Sequence, residues 1–145
     1  MCPFFLPLSK IKIMQKQLQS VKDFHEGFQQ INGTEPALIT HEEVQLRHKL
    51  MAEENDEYLE ASLKDGLYTE ERLTEIADAL GDQLYILCGT ILKHGMQHII
   101  EDVFDEIHRS NMSKLGPDGK PILREDGKIL KGEGYFKPNL KQFIK

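Results

Sequence analysis

The chain has 145 residues, with 24 acidic against 18 basic side chains, a net charge of −6, 39% hydrophobic residues, no Trp and two Cys. That length supports one core-forming domain rather than two, and the acidic balance gives no electrostatic reason to approach a nucleic acid polymer or an anionic membrane. Cys2 and Cys88 lie in unrelated contexts and are too few for a disulfide framework, so a reducing, cytoplasmic compartment is expected.

Residues 1–13, MCPFFLPLSKIKI, hold an apolar run too short to span a bilayer, broken by prolines and lysines and lacking the small-residue cleavage site of a signal peptide. They are expected to be a poorly ordered extension, with the domain proper over residues 14–145 and a functional start near Met14. Apolar Met14, Leu18, Val21 and Phe28 then recur at helical spacing over residues 14–30, and Asn32-Gly33 is the expected stop. After a short loop, Thr40 and Glu43 form a capping-box pattern that opens a second helix running to about Lys64, closed by Asp65-Gly66. A third and most apolar helix is predicted from Thr69 to Gly95. Gly81 and Gly89 lie inside it at a cost of up to about 1 kcal/mol each, so a close crossing or a ligand is expected to require them. The fourth helix, residues 96–115, carries Ile99, Ile100, Val103, Phe104 and Ile107 on one stripe. Asp-Gly turns at 118–119 and 126–127 then predict a small hairpin or ordered loop on an otherwise all-α domain.

The anomaly lies in the second and third helices. The stripe Leu46, Leu50, Glu54, Glu57, Ala61 starts apolar and continues through two carboxylates, while Glu75, Asp78 and Asp82 share one side of the next helix. Two antiparallel helices joined by a short loop would bring Glu54-x2-Glu57 against Glu75-x2-Asp78. Inward carboxylates repel and are costly to bury unpaired, so the pattern asks for a cation. All the candidate ligands are hard oxygens, which favours Mg²⁺ or Mn²⁺ over Zn²⁺ or copper. Glu60, Glu70 and Glu71 are assigned to solvent. Phe24 and Phe28 are expected to pack, and the apolar Ile86, Leu87, Ile91 and Leu92 to need cover from a second subunit.

Glu54-x2-Glu57, a 17-residue interval and Glu75-x2-Asp78, within AEENDEYLEA and EIADALGDQLYIL, resemble the signature of the all-α nucleoside triphosphate pyrophosphohydrolases, the MazG-like and dimeric-dUTPase-like superfamily. Residues 106–120, EIHRSNMSKLGPDGK, are similar to the substrate-binding end of the last helix in a MazG-like subgroup, and the resemblance spans roughly residues 14–138. It implies a four- to five-helix bundle that forms a homodimer. It implies Mg²⁺ held by Glu54, Glu57, Glu75 and Asp78, with Glu53 orienting or deprotonating the attacking water. Asp82 would assist one turn on at the substrate side, as an additional metal ligand or as a group supporting the ligands, and Arg109, Asn111 and Lys114 would contact the nucleotide. The reaction implied is hydrolysis of a nucleoside triphosphate to its monophosphate and pyrophosphate, with dUTP or other dNTPs as substrates in nucleotide-pool sanitation.

Two rivals compete with that expectation. A carboxylate-bridged di-iron bundle needs two Glu-x-x-His pairs, and the chain offers a single imperfect copy, Asp105-x-x-His108. A non-enzymatic acidic helical module that recruits a basic partner predicts neither tight divalent binding nor turnover. Charge along the chain supports the enzyme: residues 53–82 carry eleven acids against two bases, whereas residues 108–145 carry nine bases against four acids. One end suits metal and the other phosphate.

Overall fold

The computed structural model describes residues 12–66 and 68–145, so most of the N-terminal extension lies outside the described residues. Four helices follow one another: α1 (Gln15–Gly27), α2 (His41–Leu63), α3 (Thr69–Lys93) and α4 (Ile100–Met112), with a 3₁₀ turn at Leu140–Phe143. The fold is all-α; among the described residues no strand forms, and no helix is long and apolar enough to cross a membrane. The chain divides into two compact units, Ile13–Gln97 and one built around His98–Lys145.

In the first unit α3 packs against both α1 and α2. Leu18 and Val21 from α1, Ala61 from α2, and Ala79, Cys88, Ile91 and Leu92 from α3 form the core. Ile91 and Leu92 are thus already covered within the chain, contrary to expectation, whereas Leu87 remains exposed. Phe24 and Phe28 stack at 4.4 Å and Phe24 meets Tyr85 edge-on at 5.7 Å, yet both phenylalanines stay largely exposed rather than entering the core.

The helix ends show where local signals were sufficient. Thr40 Oγ1 accepts from Glu43 N at 3.2 Å, the expected cap, but the Glu43 carboxylate turns to Lys93 Nζ at 3.3 Å instead of completing the box. At the end of α3, Gly95 takes φ 67°, Gly95 N donates to Leu92 O, and Met96 N donates to Ile91 O. A Cβ on Gly95 would also collide with the Glu35 backbone, so the glycine is required twice over. The end of α1 differs from expectation. The helix stops at Gly27, and Gln29 takes the left-handed turn at φ 58° that Gly33 was expected to supply. The early stop lets the chain return Asn32 Oδ1 to 2.5 Å from the buried His25 Nδ1, and Gly33 N to Leu92 O.

A buried polar cluster sits at this end of the unit. Arg47 is 5% exposed, with Nε donating to Thr90 Oγ1 at 3.0 Å and Nη2 to Ile86 O at 2.7 Å. A Cβ on Gly89 would stand 2.6 Å from Arg47 Nη2 and 3.1 Å from His25 Nε2, so this helix glycine is explained by close packing. Around Gly81, by contrast, nothing lies within 4 Å of a Cβ, and no close crossing accounts for it.

In the second unit, buried Glu106 and Ser110 on α4 fasten the C-terminal tail. Glu106 Oε1 accepts from Asn139 N at 2.9 Å, and Ser110 Oγ donates to Phe136 O at 2.8 Å. Between them the chain makes two glycine turns and a single antiparallel bridge, Leu123 to Ile129, with Leu130 N donating to Ile122 O. The expected hairpin is therefore an ordered loop pinched at one point.

Candidate active site

Antiparallel packing of α2 on α3 decides which acids meet. Two cross-helix contacts report the register: Gln83 Nε2 donates to Asn55 Oδ1 at 3.2 Å, and Lys64 Nζ reaches Glu75 Oε1 at 3.4 Å. In that register Glu54 and Glu57 face Asp82. Ligand oxygens of these three residues lie within 4.8 Å of one another, a spacing that suits one cation. Asp78 is exposed one turn back, and its charge is felt at Glu54. Glu75 lies nearer the interhelix loop, against Lys64 and outside the group formed by Glu54, Glu57 and Asp82.

Glu54 is the centre of the cluster. Its Oε2 is enclosed and accepts no hydrogen bond. Loss of hydration pushes its carboxyl above the ordinary glutamate range, and the charges of Glu57, Asp82, Glu53 and Asp78 push it further the same way. A hard-oxygen set with an unsatisfied enclosed oxygen and uncompensated like charge fits a divalent ion, which would satisfy the oxygen and reverse the repulsion. Glu53 stands about 100° round the helix from Glu54, exposed, with Lys49 Nζ at 3.7 Å from its Oε1.

Beside the cluster opens a cleft of about 720 Å³ whose charged lining is Glu57, Glu60, Lys64, Glu75 and Asp78. Glu57 belongs to both, so cluster and cleft are continuous. Glu60, Glu70 and Glu71 are exposed, as their positions suggested.

Arg109, Asn111 and Lys114 belong to the second unit. Arg109 holds Glu106 with Nε and Nη2 at 2.9 and 3.0 Å, and its guanidinium lies 4.3 Å from the Phe136 ring centroid. That grip holds the Glu106 carboxyl below its ordinary range. Lys114 Nζ donates to Asn111 Oδ1 at 2.9 Å, leaving both side chains at the surface end of α4. Sequence reasoning placed Asp82 one turn on from the four expected ligands, as an additional ligand or a supporting group, and gave Asn55 and Lys64 no part in the site. The three- and four-residue spacing of Glu75, Asp78 and Asp82 offered Asp82 as readily as Glu75, but only the helix register chooses between them.

Comparison with known proteins identifies the family. The sequence profile described as phosphoribosyl-ATP pyrophosphohydrolase matches residues 21–111, more than half of the chain and the whole stretch that holds the acids. A solved structure, of a "putative NTP pyrophosphohydrolase" from Exiguobacterium sp. 255-15, is 29% identical over 86% of this chain and 90% of its own, with a TM-score of 0.48. No curated protein matches. The chain belongs to the phosphoribosyl-ATP pyrophosphohydrolase family, and is by that membership a hydrolase of phosphoric anhydride bonds.

Proposed function

We propose that the protein is a Mg²⁺-dependent nucleotide pyrophosphohydrolase that cleaves a (d)NTP to its monophosphate and pyrophosphate, Mn²⁺ being the natural substitute ion. The convergence of Glu54, Glu57 and Asp82 around an enclosed, unpartnered carboxylate oxygen carries this reading. Glu54, Glu57 and Asp82 hold the ion, Asp78 adjoins them, and Glu75 serves the cleft next door. When bound, the ion neutralises phosphate oxygens and polarises the α-phosphorus. Glu53 accepts the proton of the attacking water, its exposure keeping it accessible to solvent. Asn111 and Lys114 contact the nucleotide, as a base- or sugar-reading amide and a point charge for phosphate. Arg109, gripped by Glu106, holds that end of α4 in place.

Deoxynucleotides such as dUTP come first among substrates, in the role of nucleotide-pool sanitation, and the family's name adds phosphoribosyl-ATP as a comparison. Leu80, Leu84 and Leu87 leave an exposed apolar stripe along α3, which supports a homodimer, and the low cysteine content supports a cytoplasmic location. Light scattering of the purified protein tests the dimer. The activity is tested with a panel of NTPs, dNTPs and phosphoribosyl-ATP in Mg²⁺ or Mn²⁺, assayed for pyrophosphate against orthophosphate. Pyrophosphate is expected. Orthophosphate alone, or divalent-independent silence across the panel, would favour the acidic interaction module instead.

A further inference from the structure

Among the described residues Lys64 is the single cation lining the cleft, facing Glu57, Glu60, Glu75 and Asp78. It directly follows Leu63, the last residue of α2, and Arg72 Nη2 donates to its backbone carbonyl and fixes the position of its Cα. The side chain itself is less committed. Its ammonium rests 3.4 Å from Glu75 Oε1, with the lysine 54% and the glutamate 41% exposed. A pair so open to water contributes little to folding, and either partner can be exchanged at small cost. Lysine suits that exchange, since its charge is compact and its stem flexible.

We infer that Lys64 is a substrate-contacting residue that leaves Glu75 to bind the pyrophosphate portion of the nucleotide. The inference rests on the pyrophosphohydrolase reading above. Water oxygen bonds to the α-phosphorus, the α–β anhydride bond breaks, the bond's electron pair departs with the β-phosphate oxygen, and the water's proton passes to carboxylate or solvent. Negative charge therefore grows on the departing pyrophosphate, and a cation beside it acts where the transition state needs one. The carboxylates around the cleft would otherwise repel that group. Lys64 stands seven residues from Glu57, about 10 Å toward the interhelix loop, so it meets the phosphates at the far side of a cleft that Glu57 joins to the acid cluster.

The test uses inorganic pyrophosphate as probe, titrated calorimetrically into the full chain in Mg²⁺ buffer, with Mn²⁺ affinity measured separately by electron paramagnetic resonance. Lys64→Ala is expected to bind pyrophosphate roughly tenfold more weakly with Mn²⁺ affinity unchanged, while Lys64→Arg stays within about threefold of wild type. The inference is overturned by unchanged pyrophosphate affinity in Lys64→Ala, by equal losses in the Ala and Arg variants, by a parallel loss of Mn²⁺ affinity, or by a wild type that does not bind pyrophosphate. Failure of the underlying reading shows separately, as the absence of pyrophosphate release from any nucleotide by the wild-type enzyme.

Discussion

The α2–α3 pair carries two charged clusters, one toward the Gly95 end and one from mid-helix toward the interhelix loop, and the two are finished differently. Toward the chain reversal at Gly95, His25 faces Asn32, Arg47 donates to Thr90 and Ile86, and Lys93 meets Glu43. Toward the other end, Glu54, Glu57 and Asp82 converge with a carboxylate oxygen enclosed and unpartnered. His25 and Arg47 are buried with hydrogen-bond partners from the chain, whereas the enclosed Glu54 oxygen has none and stands among like charges. A buried polar group with its hydrogen bonds made is a structural element, whereas one left unmade costs stability that selection retains only for some other use. On the proposed function, the contrast separates a cluster that specifies the fold from one that takes a cation.

Substitution at the acid end should cost activity and spare the fold. Glu57→Gln is expected to lower turnover by about 10²–10³-fold, the range seen when one group stabilising a charged transition state is removed. Its urea midpoint should match wild type, and near-normal turnover would sink the proposed cluster. The reverse pattern is expected at the other end. Arg47→Met should destabilise by about 2–4 kcal/mol through lost hydrogen bonds and altered packing, with turnover per folded molecule largely kept.

Metal should act on one end alone. Mg²⁺ at about 100 times its dissociation constant should raise unfolding free energy by about 2.7 kcal/mol, and EDTA should remove the gain. Calorimetric melting of wild type and Glu57→Gln checks this, the variant losing most of the response. Without metal, Glu54→Gln removes a repelled charge and should raise Tm by about 1–4 °C even as Mn²⁺ affinity falls. A Tm drop of that size would mean that Glu54 is a structural residue.

The smallest effect is a pH dependence at the satisfied end. Burial, against the opposing bond to Asn32 and with help from Lys93 and Arg47, lowers the His25 pKa below its ordinary value, while Glu43 opposes the shift. The unfolded chain then binds the proton more readily than the folded one. The neutral ring's stabilisation is fully present above the unfolded pKa near 6.5 and is lost as pH falls through the folded value. Urea unfolding from about pH 7.5 to about pH 5.5 should show wild type losing stability that His25→Gln does not lose. Equal slopes would assign the loss to other groups.

Much of this was legible in the chain itself. Helical periodicity, the Thr40 cap and the glycine stop at Gly95 are local signals, each depending on a few adjacent residues and backbone dihedrals, and they determined an all-α fold. The acids in an apolar stripe determined that α2 and α3 carry a charged site. Only tertiary structure decided which acids meet. Along one helix Glu75 and Asp82 are equivalent candidates, one a turn to either side of Asp78. The register fixed by contacts such as Gln83 with Asn55 sets Asp82 beside Glu54 and Glu57 and leaves Glu75 facing Lys64. The same holds for α1, whose early end follows from the need to bring Asn32 back to His25 rather than from the nearest glycine. Periodicity places a residue on a face, but the partner opposite that face is chosen by packing between segments distant in sequence.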